Sequence, residues 1–370
     1  MNSLIAERLN KLRASLSGRD IDTLLILVDA NRRYLSGFTG EDTQFDESAG
    51  ALIINPDRLI LATDARYELQ AVTEAPLYEV VRYKKGLATE LPGILSELKT
   101  ERLGFESIRM TCRDHRKITE ELIKADSGAT LVPVENIVES LRIIKEKGEI
   151  QDLQRALAIA EAAFTDLLDH LEPGLSEKKL AWMMEQRMRE AGAEALSFPT
   201  IVAAGSNSAL PHAIPGDRSI QKGEPLLFDW GARLNGYCSD ISRTVVIGKP
   251  DRTFEKVFQT VLGAQRAAIE AIKPGMRSKA VDKIARDYIA DKGFGDKFGH
   301  GLGHGTGLEI HEAPRLSPLK DIELEPGMVS TVEPGVYLPE WGGIRLENMV
   351  VVRDNGAEVL NRLDPANFQI

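Results

Sequence analysis

Four acidic side chains and one histidine carry the strongest chemical signal in this 370-residue chain. They are Asp229, Asp240, His304, Glu333 and Glu347, and they lie in the stretches LLFDWGARLNGYCSD, FGHGLGHGTGLEIHEAP, VSTVEPG and GGIRLEN. If these stretches converge, burying four carboxylates together without a cation would be very costly. Two divalent ions would balance the charge, and oxygen donors with one imidazole suit manganese, cobalt, zinc or iron. The residues therefore indicate a two-metal hydrolase.

The first two acids flank a predicted β-hairpin. Asn235-Gly236 lies between two apolar-rich runs, which is the strongest short signal for a two-residue hairpin turn. With such a turn, facing positions sum to 471 (235 + 236), so Asp229 faces Ser242 and Asp240 faces Gly231. The two carboxylates are then diagonal neighbours on one face, roughly 7–8 Å apart or less at Cβ. That spacing lets both reach one pair of ions, whereas a slip of one residue would separate them.

Each acid also has a simpler explanation when it is taken alone. Asp229 and Asp240 could be ordinary carboxylates at the ends of a hairpin, although Asp229 lies in an apolar run where a solvated carboxylate is not expected. Glu347 shares a strand face with Arg345 and could form a plain ion pair with it. Glu333, which precedes a Pro-Gly pair, could be a strand-end carboxylate. Only the convergence of the two acid pairs favours a metal site.

An internal repeat predicts that convergence. Pro-Gly pairs end helical patterns at 173–174 and at 274–275, an offset of 101 (274 − 173). A second amphipathic segment follows each pair and stops at Gly192 and at Gly293, which are again 101 apart. Each half then enters a hairpin that carries two of the acids. We therefore expect a unit of helix, helix and hairpin to be used twice, with a pseudo-twofold axis that brings the acid pairs together.

Histidines add to the candidate site. The chain has six, namely His115, His170, His212, His300, His304 and His311. The last three lie in a glycine-rich stretch, where the backbone can approach a ligand closely. One neutral imidazole suits a metal, and the others could move protons or stabilise an oxyanion. We expect His115 and His170 to be structural, and His170 lies near a helix C-terminus, where a cation is favourable.

With these motifs the chain resembles the creatinase/aminopeptidase family, whose catalytic domain has the pita-bread fold. It is most similar to the proline-specific metallopeptidases, Xaa-Pro aminopeptidase (aminopeptidase P) and Xaa-Pro dipeptidase (prolidase). The resemblance runs from about residue 145 to the C-terminus through SFPTIVAAGSNSALPHA, HGLGHGTGLEIHEAP and EPGVY. It implies an α/β N-terminal domain over residues 1–140 and an α+β pita-bread catalytic domain with the internal repeat over residues 141–370.

The resemblance also implies a role for each of the five acids and histidine. Asp229 would bind one ion, and Asp240 and Glu347 would bridge both ions. His304 and Glu333 would bind the second ion. Manganese is the first expectation for the metal, with cobalt, zinc or iron as alternatives.

Further positions match family residues around the ions. His212, His300 and His311 match positions that contact substrate or stabilise the tetrahedral intermediate. Arg345 matches a position beside Glu347. Glu333 is in addition the candidate for passing a proton to the leaving imino nitrogen, while His311 or His212 donates to the oxyanion.

The substrate implied by the resemblance is a short proline-containing peptide. The first expectation is cleavage of the Xaa-Pro bond at a peptide N-terminus, as in aminopeptidase P. An Xaa-Pro dipeptidase is the alternative within the same class. A catalytically silent peptide-binding protein on the same fold is the alternative from another class, and the complete ligand set argues against it.

Bulk properties fit an enzyme of the cytoplasm. The net charge of −10 argues against nucleic acid or an anionic membrane as a partner. No apolar run approaches the ~18 residues of a transmembrane helix, and the N-terminus lacks the features of a signal peptide. Two cysteines, Cys112 and Cys238, are too few for a disulfide framework, and we expect Cys238 to be a buried strand residue rather than a metal ligand.

The N-terminal region alternates helical and strand patterns. The first residues predict an amphipathic helix, and the runs 23–28 and 50–54 predict strands of an α/β domain. In the family this domain mediates dimer contacts and covers an active-site mouth, so we expect a homodimer. Arg66 could serve the substrate or be a solvated loop cation.

Overall fold

The chain folds into two compact units, Met1–Arg142 and Ile143–Ile370. The structure is a computed structural model and describes residues 2–16, 18–42, 44 and 47–370. Within that part of the chain, no helix combines the length and the apolar character needed to cross a membrane.

The first unit is an α/β layer structure. In chain order it contains α1 (Asn2–Leu16), β1 (Thr23–Ile26), α2 (Asp29–Ser36), β2 (Ala51–Ile54), β3 (Leu59–Thr63), α3 (Glu68–Glu74), β4 (Glu79–Arg82), α4 (Leu87–Leu98), β5 (Arg102–Glu106), α5 (Cys112–Lys124), β6 (Thr130–Val134) and α6 (Glu139–Arg142). The strands form one mixed sheet in the order β4-β3-β2-β1-β5-β6. Its central strands are buried, and α4 and α5 pack their apolar residues against it.

The predicted strands of this unit are present but shorter than their apolar runs. The run 23–28 gives β1, which ends at Ile26. It stops there because the N–H groups of Leu27 and Val28 donate to the Glu106 carboxylate instead of to a neighbouring strand. Arg66 is 55 % exposed and pairs with Asp64, so its contacts are those of a solvated loop cation.

The second unit repeats helices and antiparallel strands. It contains α7 (Lys147–Leu168), α8 (Glu177–Glu190), β7 (Ala195–Leu196), β8 (Ile201–Ala204), β9 (Leu226–Trp230), β10 (Ala232–Leu234), β11 (Tyr237–Cys238), β12 (Ile241–Val245), α9 (Arg252–Ala271), α10 (Ser278–Asp291), β13 (Gly303–Gly305), β14 (Glu312–Leu316), β15 (Val329–Val332), β16 (Gly335–Leu338), β17 (Gly342–Arg345), β18 (Asn348–Arg353) and β19 (Gly356–Val359). The sheets run β11-β10-β7, β12-β9-β8, β14-β13-β15-β18-β19 and β16-β17.

The predicted repeat of helix, helix and hairpin is present. Helices α7 and α8 precede the first hairpin, and α9 and α10 precede the second. Gly174 and Gly275 have φ angles of 102° and 81°, and Gly192 and Gly293 have 101° and 86°. These left-handed conformations favour glycine and explain why the helical patterns stop at matching positions. Each helix pair covers its own core, one against β8, β9 and β12 and the other against β15–β18.

The predicted register of the first hairpin is confirmed. Asn235 and Gly236 both have positive φ, 51° and 80°, as a two-residue type I′ turn requires. Ser242 pairs with Asp229. The second hairpin is more complex, because β15 pairs with β18 while β16 pairs with β17. The chain therefore leaves one sheet and enters another at 333–334 and at 346–347.

Candidate metal centre and active-site cavity

One cavity of about 770 Å³ in the second unit brings the predicted site residues together. The predicted residues that line it are His212, Asp229, Asp240, His300, His304, His311, Glu333, Arg345 and Glu347. Much of the remaining wall is apolar and includes Phe198, Ile201, Ile214 and Ile310. His115 and His170, which the sequence analysis set aside, are not among the lining residues.

The five candidate ligands are placed by strand ends and by the breaks between strands. Asp229 lies in β9, and Asp240 lies just before β12. His304 is the central residue of β13, a short strand of glycines around one histidine. Glu333 and Glu347 occupy the two breaks where the second hairpin changes sheet. Potential ligand atoms of Asp240, His304 and Glu347 all lie within 4.8 Å of one another.

His304 presents a lone pair to this cluster. Its Nδ1 lies 3.0 Å from the carbonyl oxygen of Gly305, and because a carbonyl can only accept, Nδ1 carries the proton in the neutral ring. Nε2 lies 3.5 Å from Oδ2 of Asp240 and 3.3 Å from Oε1 of Glu333. In that tautomer Nε2 is an acceptor facing two carboxylates, an arrangement that a cation between them would stabilise.

Neighbouring polar groups orient the remaining acids. Arg345 Nη2 donates to Oδ2 of Asp229 over 2.6 Å, and its Nε donates to the Ser242 hydroxyl over 2.9 Å. Ser242 in turn donates to Oε2 of Glu347 over 2.8 Å. The other oxygens, Oδ1 of Asp229 and Oε1 of Glu347, are buried and have no hydrogen-bond partner. Such orphaned acceptors are expensive in a protein interior unless a ligand satisfies them.

Mutual repulsion perturbs the acids strongly. Burial, followed by the negative charges of Glu347 and Asp229, raises the pKa of Asp240 well above its ordinary value. Burial, followed by the charges of Glu333 and Asp229, does the same to the pKa of Glu347. Burial also opposes ionisation of Glu333, yet His304 in its protonated form would donate to this carboxylate, and that hydrogen bond and charge lower the pKa of Glu333 to about 2. The protein therefore does not supply enough positive charge to balance the carboxylates of Asp240 and Glu347.

The donor set fits divalent cations. It supplies carboxylate oxygens and one imidazole nitrogen, which suit manganese, cobalt, zinc or iron and exclude a soft thiolate site. Cys238, the nearest cysteine in sequence, is a buried strand residue as expected, and burial raises the pKa of its thiol to about 11. The orphaned oxygens of Asp229 and Glu347 are the atoms that a bound cation would contact.

Three further histidines differ in what they offer to a ligand. His212 and His311 line the cavity, and within the described part of the chain neither ring makes a hydrogen bond or ion pair to another residue. Burial, followed by the charges of His304 and Arg315, lowers the pKa of His311 to about 4. His311 is thus a neutral hydrogen-bond donor at neutral pH.

Both ring nitrogens of His300 form hydrogen bonds to neighbouring residues. Its Nδ1 donates to the Gly301 carbonyl over 2.8 Å, so Nε2 accepts from the Tyr337 hydroxyl, also over 2.8 Å. That hydroxyl accepts from Arg345 Nη1 over 3.0 Å. Tyr337 therefore links His300 to Arg345, which holds Asp229. No sequence pattern singled out Tyr337, although this residue ends the EPGVY motif.

Arg315 is a second cavity residue that no sequence pattern singled out. It lines the cavity from β14 and lies opposite His304 across the β13–β14 pairing. Its guanidinium has no hydrogen-bond or ion-pair partner among the described residues. The period of two along a strand could not have revealed it, because the β13–β14 register shifts between His304 and Gly305.

Comparisons with known proteins agree with this architecture. The family model of Metallopeptidase family M24 matches residues 151–354, and that of the Creatinase/Prolidase N-terminal domain matches residues 8–144. The Xaa-Pro dipeptidase of Pyrococcus furiosus is 37% identical over 359 residues, which are 97% of this chain and 98% of that protein.

Solved structures extend the likeness to three dimensions. The Xaa-Pro dipeptidase from Bacillus anthracis has a TM-score of 0.93 and is 38% identical, covering 99% of this chain and 100% of its own. The X-Pro aminopeptidase from Thermotoga maritima has a TM-score of 0.87 and is 36% identical, covering 96% of this chain and 100% of its own. The likeness thus spans both units.

Proposed function

The chain belongs to metallopeptidase family M24 and is a metal-dependent hydrolase with the pita-bread fold, and we propose that it hydrolyses Xaa-Pro dipeptides. Two of the relatives described above are named Xaa-Pro dipeptidase. The sequence alone had favoured aminopeptidase P, and these relatives favour the dipeptidase alternative. The silent binding protein is set aside, because the chain belongs to a family of enzymes.

The observation that carries the dipeptide proposal is the unpaired guanidinium of Arg315 on the cavity wall. In an Xaa-Pro dipeptide the free carboxylate is attached to the proline ring, one carbon from the imino nitrogen that leaves. A guanidinium can bind such a carboxylate in a bidentate manner. In a longer peptide that carboxylate is an amide, which offers Arg315 no charge.

We propose that Asp229, Asp240, His304, Glu333 and Glu347 hold two divalent ions, with manganese as the first candidate. When bound, such ions would polarise the scissile carbonyl and make a water more acidic. Ser242 and Arg345 would then fix the carboxylates, since their hydrogen bonds leave one oxygen of Glu347 and one of Asp229 free.

His311 and His212 are the donors for the oxyanion that develops on the scissile carbonyl. Both rings line the cavity, and their nitrogen atoms make no hydrogen bond to any other described residue. His311 is neutral at neutral pH, so it can donate an N–H without carrying a competing positive charge into the site.

Glu333 is the residue that moves the proton. Its ordinary pKa is 4.5, and a protonated His304 lowers this pKa to about 2, so the carboxylate is ionised at neutral pH and can accept a proton. Thr331 donates to its Oε1 over 3.0 Å and fixes the rotamer. The nitrogen of proline must gain a proton to leave as an amine, and Glu333 is placed in the same cavity to pass it on.

Aminopeptidase P activity is the second candidate. The likeness to the X-Pro aminopeptidase of Thermotoga maritima supports it.

We further propose a homodimer, which sedimentation analysis of the purified protein would test.

A matched substrate panel separates these activities. Leu-Pro, Leu-Pro-Ala and Met-Ala-Ala are assayed with added Mn²⁺. The dipeptidase proposal predicts the highest kcat/KM for Leu-Pro. A preference for Leu-Pro-Ala would assign aminopeptidase P, and fastest turnover of Met-Ala-Ala would overturn proline specificity altogether.

A further inference from the structure

Gln265 is a polar side chain in the middle of an apolar helix face. It lies in α9 and is fully buried, while the residues around it on that face, such as Leu262 and Ala268, belong to the core beneath β15–β18. Its Nε2 donates to the carbonyl oxygens of Val332 over 3.1 Å and Leu346 over 2.9 Å. One amide group thus uses both of its N–H bonds on the backbone of two different segments.

The two carbonyls belong to the residues that directly precede Glu333 and Glu347. Val332 ends β15, and Leu346 follows β17, so both lie where the second hairpin changes sheet. Regular strand pairing does not continue through these breaks. The N–H of Glu333 donates to the Leu302 carbonyl over 2.8 Å and that of Glu347 to the Ser242 carbonyl over 3.1 Å, while Gln265 holds the carbonyls that precede them. Gln265 therefore ties together the two irregular segments that carry the second pair of candidate ligands.

Stability alone does not account for this side chain. Its Oε1 is buried and has no hydrogen-bond partner. An unsatisfied buried amide oxygen is costly, and a methionine or leucine of similar size would avoid that cost but would leave the carbonyls of Val332 and Leu346 without this donor. The carbonyl contacts identify what the glutamine provides that an apolar side chain cannot.

We propose that Gln265 is a positioning residue that fixes the spacing of Glu333 and Glu347, and through it the affinity of the site for divalent ions. The inference rests on the proposed function, because it takes these two glutamates as metal ligands. Hydrogen bonds behind metal ligands commonly change metal affinity or activity by about 10- to 100-fold when they are removed.

The test compares Gln265→Met and Gln265→Leu with a matched control on the same helix. Thr260→Val is that control, because Thr260 is also buried and its hydroxyl donates only within α9, to the Lys256 carbonyl. Mn²⁺ binding to the metal-free proteins is measured by calorimetry, alongside their thermal midpoints. At saturating Mn²⁺, kcat and KM for Leu-Pro are then determined.

We expect both Gln265 variants to bind Mn²⁺ about 10- to 100-fold more weakly than wild type. The metal-free variants should melt at a lower temperature, because two carbonyls lose a donor, and should still be folded at the assay temperature. We expect kcat to fall and KM to stay within about twofold, because the cavity walls are unchanged. Thr260→Val should match wild type in both respects.

A folded Gln265 variant with wild-type Mn²⁺ affinity would overturn the inference. Failure of both variants to fold would also overturn it, since the residue would then serve the fold instead of the ligands. If wild type itself bound no Mn²⁺, the proposed function would fail first. If wild type binds Mn²⁺ and cleaves Leu-Pro, the proposed function stands, and the variants then test the role of Gln265 alone.

Discussion

Nε2 of His304 lies 3.3 Å from Oε1 of Glu333, and the proton of the neutral His304 ring lies on the opposite nitrogen, which donates to Gly305. Two acceptors therefore face each other at the centre of the cavity. The same holds for the rest of the site, where buried hydrogen-bond acceptors surround a space that suits a cation.

Removing the charge of a bridging candidate should empty part of the metal site. In Asp240→Asn the side chain keeps its size but loses an anionic oxygen, so we expect loss of at least one Mn²⁺ per chain and nearly all activity. Asp251→Asn is the control, because Asp251 caps α9 and asparagine caps equally well. Elemental analysis that found both variants fully loaded would refute the ligand assignment.

His311 should affect the rate and leave the metal content alone. His311→Ala removes a proposed oxyanion donor, and loss of one such donor typically lowers kcat by ~10²–10³. His170→Ala serves as the control, since His170 is exposed and outside the cavity. Activity of His311→Ala within a few-fold of wild type would show that the ring does not contact the intermediate.

Arg315 should recognise the carboxylate of a dipeptide. We expect Arg315→Gln to raise KM for Leu-Pro by about 10- to 100-fold, the range for losing a charge-assisted hydrogen bond. Hydrolysis of Leu-Pro amide, which has no carboxylate, should change little. Equal effects on the acid and the amide would argue against this role and against the dipeptidase proposal.

A buried acid in the first unit should make stability depend on pH. Burial raises the pKa of Glu106 to about 7, although the N–H groups of Val28 and Asn31 stabilise its charged form. The ordinary value is 4.5, so between 4.5 and 7 the folded unit holds its proton more tightly than the unfolded chain. Stability is therefore greatest below about 4.5 and falls as the pH rises to about 7, by about 3 kcal/mol.

Glu106→Gln tests that sign. The variant has no charge to bury, so the free energy of local unfolding should lose this fall between acidic and neutral pH. Hydrogen exchange of backbone amides in β1 and β5 measures the unfolding of this unit. Tryptophan fluorescence would not, because all three tryptophans, Trp182, Trp230 and Trp341, lie in the other unit. The same pH dependence in wild type and variant would exclude Glu106 as its source.

The parts of the site that local chemistry fixes could be predicted from the sequence. The Asn235-Gly236 turn requires positive φ at both residues, so it determines the register that pairs Asp229 with Ser242. The Pro-Gly helix ends predicted the repeat in the same way. The family resemblance supplied the remaining ligands.

Residues that act across tertiary contacts had no such signal. Gln265 looks like a tolerated polar residue in an amphipathic helix until Val332 and Leu346 are seen beside it. Arg315 and Tyr337 likewise acquire meaning only when β14 and β16 fold against the cavity. Sequence patterns describe one element at a time, and these contacts join several.

The most direct test of the central claim is a titration of metal-free wild-type protein with Mn²⁺, following the initial rate of Leu-Pro hydrolysis. The two-ion site predicts that activity is absent after chelation, rises with added Mn²⁺ and reaches its plateau at two ions per chain. Hydrolysis of Leu-Pro that persists without metal, or no hydrolysis at any Mn²⁺ concentration, would contradict the two-ion proposal.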